Sequence, residues 1–335
     1  MEKLQMEKLE SFYEGKIILV TGGTGSIGKE IVKTLLNFNP KTIRVLDINE
    51  TALFDLEQEL NTHRIRAFLG DMRDKERLKR AIEDVDIVFH AAALKHVPSC
   101  EYNPFEAVKT NVYGTQNLID VAIDEEVEKF IMISTDKAAN PVNVMGATKL
   151  LAERLTISAN LYKGKRKTVF SCVRFGNVLY SRGSVLPIFE EQIKDGFITL
   201  TDSNMTRFIM EISQAVKLTL KATQIAKCGE IFILKMPSIK IEDLANVLIE
   251  KLAPTYGYKP EDIKLKIIGK RVGEKLYEEL MTEDEAENAW EDDEMLVVLP
   301  QINNIDDKLS HKLPDNFKRT QKKIYSSKSV KLLNK

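Results

Sequence analysis

Residues 16–28 read KIILVTGGTGSIG, a short apolar run followed directly by glycines at positions 22, 25 and 28. The run has the length of a buried strand, and the residues after it have helical spacing. In this context Gly22 permits a tight turn, Gly25 lets the backbone approach a pyrophosphate, and Gly28 lets the helix pack closely on the strand. The helix N-terminus adds N–H groups and a favourable dipole for an anion. The stretch predicts a dinucleotide site formed by Gly22, Thr24, Gly25, Ser26, Ile27 and Gly28.

The same alternation of strand and helix continues to residue 175. Further strand-length apolar runs lie at residues 42–47, 66–70, 86–92, 129–135 and 168–175, and helix-like segments at 27–38, 51–60, 74–82, 105–123 and 144–161. Strands that are apolar throughout and alternate with helices predict an α/β fold with a doubly wound parallel Rossmann sheet. Beyond residue 173 the rhythm loosens into scattered helices and isolated strands, which predicts a smaller C-terminal α/β cap that binds substrate.

Four segments follow from this pattern. They are a leader helix or a disordered extension at residues 1–15, a cofactor-binding Rossmann domain at 16–175, a substrate-binding region at 176–300 and a basic tail at 301–335. If residues 1–15 form a helix, it packs on the body or on another subunit. Residues 278–294 hold ten acidic and no basic side chains, and residues 317–335 hold seven basic and no acidic ones. We interpret the first run as a solvated helix face and the second as a frayed tail.

Composition excludes several classes of partner. Of 335 residues, 49 are Lys or Arg and 50 are Asp or Glu, so the net charge of −1 provides no global field for nucleic acid or an anionic membrane. No apolar stretch reaches the roughly 18 residues of a membrane span, and the Glu- and Lys-rich start does not resemble a secretory signal. Three dispersed cysteines and four unclustered histidines predict a reduced, cytoplasmic protein without a metal site.

Acidic residues end the second and third predicted strands. Asp47 can accept hydrogen bonds from the adenosine ribose hydroxyls and would repel a 2′-phosphate, which favours NAD over NADP. The alternative is that Asp47 caps the following helix. Asp71 can accept from the adenine amino group or serve as a helix N-cap.

The fourth predicted strand leads into His90 and a run of small residues. Ala91 and Ala92 permit close approach of the backbone to a bound dinucleotide, and Lys95 and His96 follow where the strand meets the cleft. These two are candidate substrate-binding residues. His90 itself is more typical of a packed core histidine than of a catalyst.

Six sequence blocks carry a family resemblance. They are HAAALKHVP at 90–98, STDKAANPVNVMGATK at 134–149, RFGNV at 174–178, SRGSV at 181–185, MTRF at 205–208 and RVGEKLYEEL at 271–280. The strand-end Ser-Thr and the helix that carries Lys149 are similar to those of the extended short-chain dehydrogenase/reductase superfamily. Over residues 15–300 the six blocks together resemble the UDP-N-acetylglucosamine 4,6-dehydratases of polysaccharide biosynthesis.

That resemblance implies a hydro-lyase that uses NAD on a UDP-N-acetylhexosamine. The sugar is oxidised transiently at C4, loses its 6-hydroxyl and is reduced at C6, which gives a UDP-4-keto-6-deoxy product. Within this chemistry Lys137, if desolvated and partly neutral, is the expected base for the C5 proton, and Asp136, protonated, the acid for the 6-hydroxyl. Thr135 would hold the C4 oxygen, and Lys149 would contact the nicotinamide ribose.

One position departs from the superfamily pattern. Met145 stands where a YxxxK motif has its tyrosine, and a thioether cannot act as acid or base. A subset of these dehydratases also carries Met there, so the resemblance implies that Asp136 and Lys137 perform the proton transfers. Two alternatives remain: a nucleotide-sugar 4-epimerase or dehydrogenase, and a non-catalytic NAD-binding scaffold protein. The superfamily resemblance also implies a homo-oligomer.

The later blocks suggest contacts with the substrate. Asn177 resembles an asparagine that contacts the diphosphate, and Ser181 and Arg182 offer further donors. Arg207 and Arg271 resemble the arginines that clamp the UDP pyrophosphate, a task that suits a guanidinium fork. Glu274 would accept from the uridine ribose hydroxyls.

Overall fold

The protein is described from a computed structural model that covers residues 2–181, 183–271, 273–300 and 313–333. The strands are β1 Ile17–Thr21, β2 Thr42–Asp47, β3 Ile65–Leu69, β4 Ile87–His90, β5 Lys129–Thr135, β6 Val169–Phe175, β7 Asn177–Val178, β8 Phe197–Leu200, β9 Thr206–Met210, β10 Ile231–Leu234, β11 Ser238–Lys240, β12 Lys264–Ile267, β13 Glu279–Met281, β14 Ala289–Glu291, β15 Met295–Val298, β16 Lys318–Arg319 and β17 Tyr325–Ser326.

The helices lie between these strands. They are α1 Glu2–Tyr13, α2 Ser26–Leu36, α3 Glu50–Leu60, α4 Lys75–Ile82, α5 Val97–Tyr102, α6 Pro104–Ala107, α7 Gly114–Asp124, α8 Val144–Tyr162, α9 Val185–Lys194, α10 Ile212–Ile225, α11 Ile241–Leu252 and α12 Glu283–Ala286. A π-helical stretch, Val108–Tyr113, joins α6 to α7, so the single helix predicted at 105–123 has a widened turn. Tyr113 and Leu161 are exposed on this side of the molecule. The predicted homo-oligomer stays a prediction.

One large sheet confirms the predicted α/β architecture. Its order is β16-β14-β15-β10-β6-β5-β4-β1-β2-β3. The seven strands from β3 to β10 are parallel, which is the doubly wound arrangement with one added strand. All of β4 and six of the seven residues of β5 are buried, because helices cover both faces of the sheet. The carboxyl ends of the parallel strands therefore form one edge.

The sheet continues beyond the boundary predicted at residue 175. Strand β15 runs antiparallel to β10, β14 pairs with β15, and β16 pairs with β14. The C-terminal part of the chain thus supplies four strands of the ten-stranded sheet. The residue ranges predicted for the cofactor and substrate regions divide the sequence, but they do not divide this sheet.

The acidic run at residues 278–294 is not a solvated helix face, as the sequence suggested. Glu278 and Asp292 are buried, and Glu285 pairs with Arg174 at 2.8 Å. Arg174 is fully buried and also pairs with Glu153 on α8 at 2.6 Å. These contacts tie β6, α8 and α12 together, because a buried guanidinium needs its charge and all its donors matched.

The basic C-terminal segment is also packed in the part that the structure describes. Tyr325 and Ser327 are buried, and the Tyr325 hydroxyl donates to the Met236 carbonyl at 3.1 Å. Strand β17 pairs with β13. The interpretation of residues 317–335 as a frayed tail is therefore wrong for residues 317–333, while residues 301–312 of the predicted tail lie outside the described ranges.

The leader segment forms α1, which packs on the body. Leu9 and Tyr13 are buried, and the Tyr13 ring stacks on Phe38 with centroids 5.8 Å apart. The Tyr13 hydroxyl donates to the Leu220 carbonyl at 2.8 Å. A buried hydrogen bond to α10 thus fixes the end of α1 next to the first strand.

The cap lies over the carboxyl edge of the sheet and has a small core of its own. Helices α9 and α11 and strand β8 contribute Phe189, Ile193, Ile198 and Ile249 to it. Strand β12 pairs with β8, which extends the cap. Across the described ranges, no helix is long and apolar enough to cross a bilayer. The three cysteines are buried and free.

Candidate active site

A cavity of about 990 Å³ lies between the carboxyl edge of the sheet and the cap. Every predicted site residue that the structure describes lines it: Gly22, Thr24, Gly25, Ser26, Ile27, Gly28, Asp47, Asp71, Ala91, Ala92, Lys95, His96, Thr135, Asp136, Lys137, Met145, Lys149, Asn177, Ser181, Arg207, Arg271 and Glu274. Arg182 was also predicted and lies outside the described residues. Elements separated by more than 200 residues thus meet at one concave surface.

The glycines of the loop after β1 let its backbone pack closely against the residues after β4 and against α2. Gly22 has φ +64°, and a Cβ there would lie 2.7 Å from Cα of Ala92. A Cβ on Gly28 would lie 2.3 Å from the Gly22 carbonyl oxygen. Any larger residue would push the loop away from β4 or α2 away from the loop. Gly25, at the N-cap of α2, places no side chain over the helix terminus. These features fit a dinucleotide diphosphate.

Asp47 is tied to this loop. Its Oδ2 accepts from the backbone N–H of Thr24 at 3.1 Å and from the Thr24 hydroxyl at 2.7 Å. The N-cap of α3 is Asn49, so the alternative that Asp47 caps this helix is wrong. Asp47 stands at the end of β2 and lines the cavity.

Asp71 lies at the adjacent strand end. Hydrogen bonds from the Arg73 side chain lower the pKa of Asp71. The N-cap of α4 is Asp74, so the alternative that Asp71 caps this helix is wrong. An adenine amino group at this end of the cavity would share the Asp71 carboxylate with Arg73.

His90 is a core residue. Its Nδ1 is 2.8 Å from the Thr21 hydroxyl and its Nε2 is 2.8 Å from the Thr115 hydroxyl. Burial lowers the pKa of His90 to about 3, so the ring is neutral. Both nitrogens are satisfied within the fold, as the sequence suggested. His96, by contrast, is exposed at the cavity and lies against Gly183.

Thr135, Asp136 and Lys137 form a hydrogen-bonded chain at the end of β5. The Thr135 hydroxyl donates to Oδ1 of Asp136 at 2.7 Å. Nζ of Lys137 donates to both Asp136 oxygens, at 3.1 and 3.0 Å. A single 3₁₀ turn, Asp136–Ala138, presents the last two side chains. The three groups that the sequence selected are therefore in direct contact.

The structure contradicts a partly neutral Lys137. Burial alone would lower the pKa of Lys137, but the carboxylates of Asp136 and Glu278 raise it above its ordinary value. An opposite charge this close favours the ammonium form. Lys137 is therefore a cation before substrate binds, and it needs a change in its surroundings before it can act as a base.

Glu278 is a site residue that the sequence analysis missed. It is buried, and its Oε1 lies 3.6 Å from Nζ of Lys137 and 3.3 Å from Nε of Arg207. Burial, followed by the neighbouring Asp136, raises the pKa of Glu278 to about 7. A signal was available in the sequence, because Glu278 lies between Leu276 and Leu280 inside the RVGEKLYEEL block.

Met145 and Lys149 lie one turn apart on α8. Met145 packs in a small apolar cluster with Cys100 and Ala107. Nζ of Lys149 donates to the Ile133 carbonyl at 2.6 Å. Burial lowers the pKa of Lys149 to about 8, with Glu153 opposing the shift. Lys149 is thus a buried cation beside the cavity, whereas Met145 offers only apolar surface.

Asn111 is a second residue that the sequence analysis missed. It lies in the π-helical stretch and is buried. Its Oδ1 accepts from the Leu94 N–H at 2.8 Å, and its Nδ2 donates to the Leu94 carbonyl and the Thr148 hydroxyl, each at 3.0 Å. The side chain therefore joins the loop after β4 to α8. A lone asparagine in a helical run gives no such signal in the sequence.

Arg207 is held by the protein itself. Its Nη1 donates to the Thr206 and Leu276 carbonyls, and its Nη2 to the Lys275 carbonyl at 2.9 Å. Nε faces Glu278. The guanidinium is therefore a fixed positive group beside the cavity, and most of its donors already have acceptors.

Arg271 is arranged differently. Its backbone N–H donates to Oε2 of Glu274, and its guanidinium makes no hydrogen bond or ion pair with the residues that the structure describes. Oε1 of Glu274 is 3.5 Å from the Thr201 hydroxyl. Asn177 donates to Glu278 and to the Phe208 carbonyl. Of the two predicted clamp arginines, Arg271 is the one with free donors.

Known proteins with similar sequences cover nearly the whole chain. An uncharacterized membrane protein of Methanocaldococcus jannaschii is 71% identical over 98% of this chain and 96% of its own length. A UDP-N-acetylglucosamine 4,6-dehydratase (inverting) of Campylobacter jejuni is 45% identical over 88% of this chain and 86% of its own. A UDP-glucose 4-epimerase of Rickettsia felis is 41% identical over 82% and 80%.

A solved structure and a family model agree with these relatives. The X-ray structure of Pen from Bacillus thuringiensis superposes with a TM-score of 0.87 and 46% identity, and covers 94% of each chain. The family model described as a polysaccharide biosynthesis protein matches residues 18–300. The matched range holds the glycine loop, the Thr135–Lys137 chain and both arginines. The chain belongs to the polysaccharide biosynthesis protein family and has the fold of the short-chain dehydrogenases and reductases.

Proposed function

We propose that the protein is an NAD-dependent UDP-N-acetylglucosamine 4,6-dehydratase. The observation that carries the proposal is the Thr135–Asp136–Lys137 chain, which lines the same cavity as the glycine loop. The dehydratase of Campylobacter jejuni supports the same substrate. A scaffold protein would have no need for a hydroxyl, a carboxylate and an ammonium group in contact at the cofactor cavity.

The residues at the carboxyl edge fit a nicotinamide dinucleotide. Gly22, Gly25 and Gly28 leave space for its diphosphate, and Asp47 faces the expected ribose. When bound, the cofactor supplies reversible oxidation, first at C4 of the sugar and then in reverse at C6. Lys149, with a pKa lowered to about 8, places a cation at the buried end of the cavity. This positive charge would stabilise the partial negative charge on the carbonyl oxygen of the 4-keto sugar.

Oxidation at C4 releases the proton of the C4 hydroxyl, and Thr135 is the group that can pass it on. Its hydroxyl already donates to Asp136 at 2.7 Å. When the Thr135 oxygen accepts the C4 proton, Thr135 passes its own hydroxyl hydrogen to Oδ1 of Asp136. Asp136 then holds the proton that the departing 6-hydroxyl needs, so one proton serves both steps.

The same transfer prepares Lys137. Its ammonium form depends on the negative charges of Asp136 and Glu278. When Asp136 becomes neutral, one of these charges is lost, so the pKa of Lys137 falls. Lys137 can then release its ammonium proton to solvent, to which 31% of its side chain is exposed, and accept the proton on C5. This sequence replaces a tyrosine base and explains how a site with Met145 can be active.

A nucleotide-sugar 4-epimerase is the second candidate, because a UDP-glucose 4-epimerase is 41% identical to this chain. Epimerisation at C4 needs only the reversible oxidation step. It leaves the C5 proton and the 6-hydroxyl in place, so Asp136 and Lys137 would have no task. The contact between these two side chains therefore favours the dehydratase.

Incubation with UDP-N-acetylglucosamine and NAD tests the proposal. NMR of the sugar is expected to show a 4-keto-6-deoxy product with deuterium from solvent at C5. A C4 epimer with its 6-hydroxyl retained would identify an epimerase. An unchanged sugar would contradict both enzymes and leave the scaffold alternative.

We expect the protein to bind NAD more tightly than NADP, because the Asp47 carboxylate would repel the 2′-phosphate of NADP. In Asp47→Ala the ratio of the two affinities is expected to fall by about tenfold, the equivalent of about 1.4 kcal/mol. NAD binding should also weaken, since Thr24 loses its acceptor. Calorimetric titration with each cofactor measures both effects, and tighter binding of NADP to the unaltered protein would overturn the assignment.

A further inference from the structure

Glu278 lies behind the cavity wall and contacts three of the predicted site residues. Its side chain is 5% exposed. Oε1 lies 3.6 Å from Nζ of Lys137 and 3.3 Å from Nε of Arg207. Nδ2 of Asn177 is within 2.9 Å of both oxygens, and the Phe208 N–H donates to Oε2 at 3.0 Å. One buried carboxylate thus joins side chains from the turn after β5, from β7 and from β9.

The C-terminal segment fixes the backbone of Glu278. The Glu278 N–H donates to the Ser327 hydroxyl at 2.9 Å, and the Ser327 N–H donates to the Glu278 carbonyl at 2.8 Å. The Ser327 hydroxyl also lies 2.8 Å from the Thr206 hydroxyl, next to Arg207. Glu278 is therefore held from both sides, and its carboxylate has little freedom to turn away from the cluster.

We propose that Glu278 is a positioning residue: it fixes Asn177 and Arg207 beside the cavity and, together with Asp136, favours the ammonium form of Lys137 before substrate binds. The inference rests on the proposed function for the chemistry that Lys137 performs. The charge of Lys137 itself can be measured without turnover. Glu278 touches neither the cavity nor a reacting atom, so it acts only through its neighbours.

Charge balance supports this role. The charged groups around Glu278 are Asp136 and Lys137 from the turn after β5, Arg207 from β9, and Lys275 from its own segment. With Asp136 and Glu278 ionised, two carboxylates face Lys137 and Arg207. Without the charge of Glu278, two cations share the single carboxylate of Asp136. The pKa of Lys137 must then fall, because a positive neighbour is no longer balanced.

Competitive labelling tests the inference on the full chain. The rate at which acetic anhydride modifies Lys137 is followed by peptide mass spectrometry as a function of pH. In Glu278→Gln the midpoint is expected to move down by about 1 pH unit, as for loss of an opposite charge within about 4–6 Å. Glu278→Asp keeps the charge and should move it less. Glu279→Gln is the matched control, since Glu279 pairs with Asn140 and should leave the midpoint unchanged.

Two outcomes overturn the inference: no shift in Glu278→Gln, or equal shifts in Glu278→Gln and Glu278→Asp, which would indicate a merely structural role. If Glu278→Gln does not fold, the reciprocal measurement remains. Lys137→Met should raise the pKa of Glu278, followed by carbon NMR of labelled glutamate, because coupling between two sites is mutual. An unchanged Glu278 titration there would also overturn the inference.

The proposed function fails separately. If the unaltered protein leaves UDP-N-acetylglucosamine unchanged but the Lys137 midpoint shifts in Glu278→Gln, the dehydratase assignment is wrong and the role of Glu278 stands. If product forms and the midpoint does not shift, the reverse holds. In an active enzyme, the rise of C5 exchange with pH should move down by the same amount in Glu278→Gln.

Discussion

Replacing Lys137 by methionine is expected to slow exchange of the sugar C5 proton by about 10²–10⁴-fold, the usual contribution of a general base, while oxidation at C4 continues. Methionine fills similar volume but has no proton to accept or donate. The Thr135–Asp136 contact does not involve Lys137, so the path for the C4 proton remains. In a single turnover, reduced cofactor and a 4-keto sugar should therefore accumulate together. Absorbance of the reduced cofactor and NMR of the sugar measure the two.

The control for this experiment is Met145→Leu. Met145 lies on the same cavity but packs among Cys100 and Ala107, so leucine should retain most activity. An inactive Met145→Leu beside a normal Lys137→Met would mean that the proton route does not pass through Lys137. Asp136→Asn should behave differently from Lys137→Met: the amide can neither take the C4 proton from Thr135 nor give one to the 6-hydroxyl, so both oxidation and loss of the 6-hydroxyl should slow and reduced cofactor should not accumulate.

The sheet could be predicted because its strands are local patterns. β1, β4, β5 and β6 are buried almost throughout, so each is a nearly continuous apolar run in the sequence. The strands at the other edge could not be found in this way. β14 and β16 are three and two residues long and contain charged side chains. Only their pairing with β15 makes them part of the sheet.

Charge runs were misleading for a related physical reason. The acidic run suggested solvent, since an isolated carboxylate is costly to bury. The buried Arg174 and the cluster of Lys137 and Arg207 remove that cost, but these partners lie far away in the chain. Asn177 and Glu278 are 101 residues apart. Composition along a segment cannot reveal a counter-charge that the fold supplies from elsewhere.

The same limit applies to roles within the site. Contiguous motifs identified the residues that line the cavity, and three of these motifs, the glycine loop and the blocks at 90–98 and 134–149, lie at the carboxyl ends of parallel strands. They did not indicate that Lys137 faces two carboxylates. They also did not indicate that the Arg207 guanidinium already donates to the Thr206, Leu276 and Lys275 carbonyls. Protonation state and donor availability depend on contacts between motifs, which only the folded structure provides.

Arg207 and Arg271 differ in whether their guanidinium donors are already used, so we expect their substitution to affect substrate binding and stability differently. Arg271→Ala is expected to weaken binding of the UDP-sugar by about 30-fold, the equivalent of about 2 kcal/mol for loss of a charged donor to a phosphate. The melting temperature should not change, since the Arg271 guanidinium has no partner among the described residues. Calorimetric titration with UDP and a thermal melt measure the two quantities.

Arg207→Ala is the informative comparison, because it should reduce both quantities. Removal of Arg207 takes one donor from each of three backbone carbonyls and leaves Lys137 as the one cation paired with Glu278 among the described residues, so the melting temperature should fall along with the affinity for UDP. If Arg271→Ala leaves UDP binding intact while Arg207→Ala abolishes it without a change in melting temperature, the pyrophosphate is bound by Arg207. The guanidinium must then exchange its carbonyl partners for phosphate oxygens when substrate enters, and the fixed geometry of Arg207 would describe only the substrate-free site.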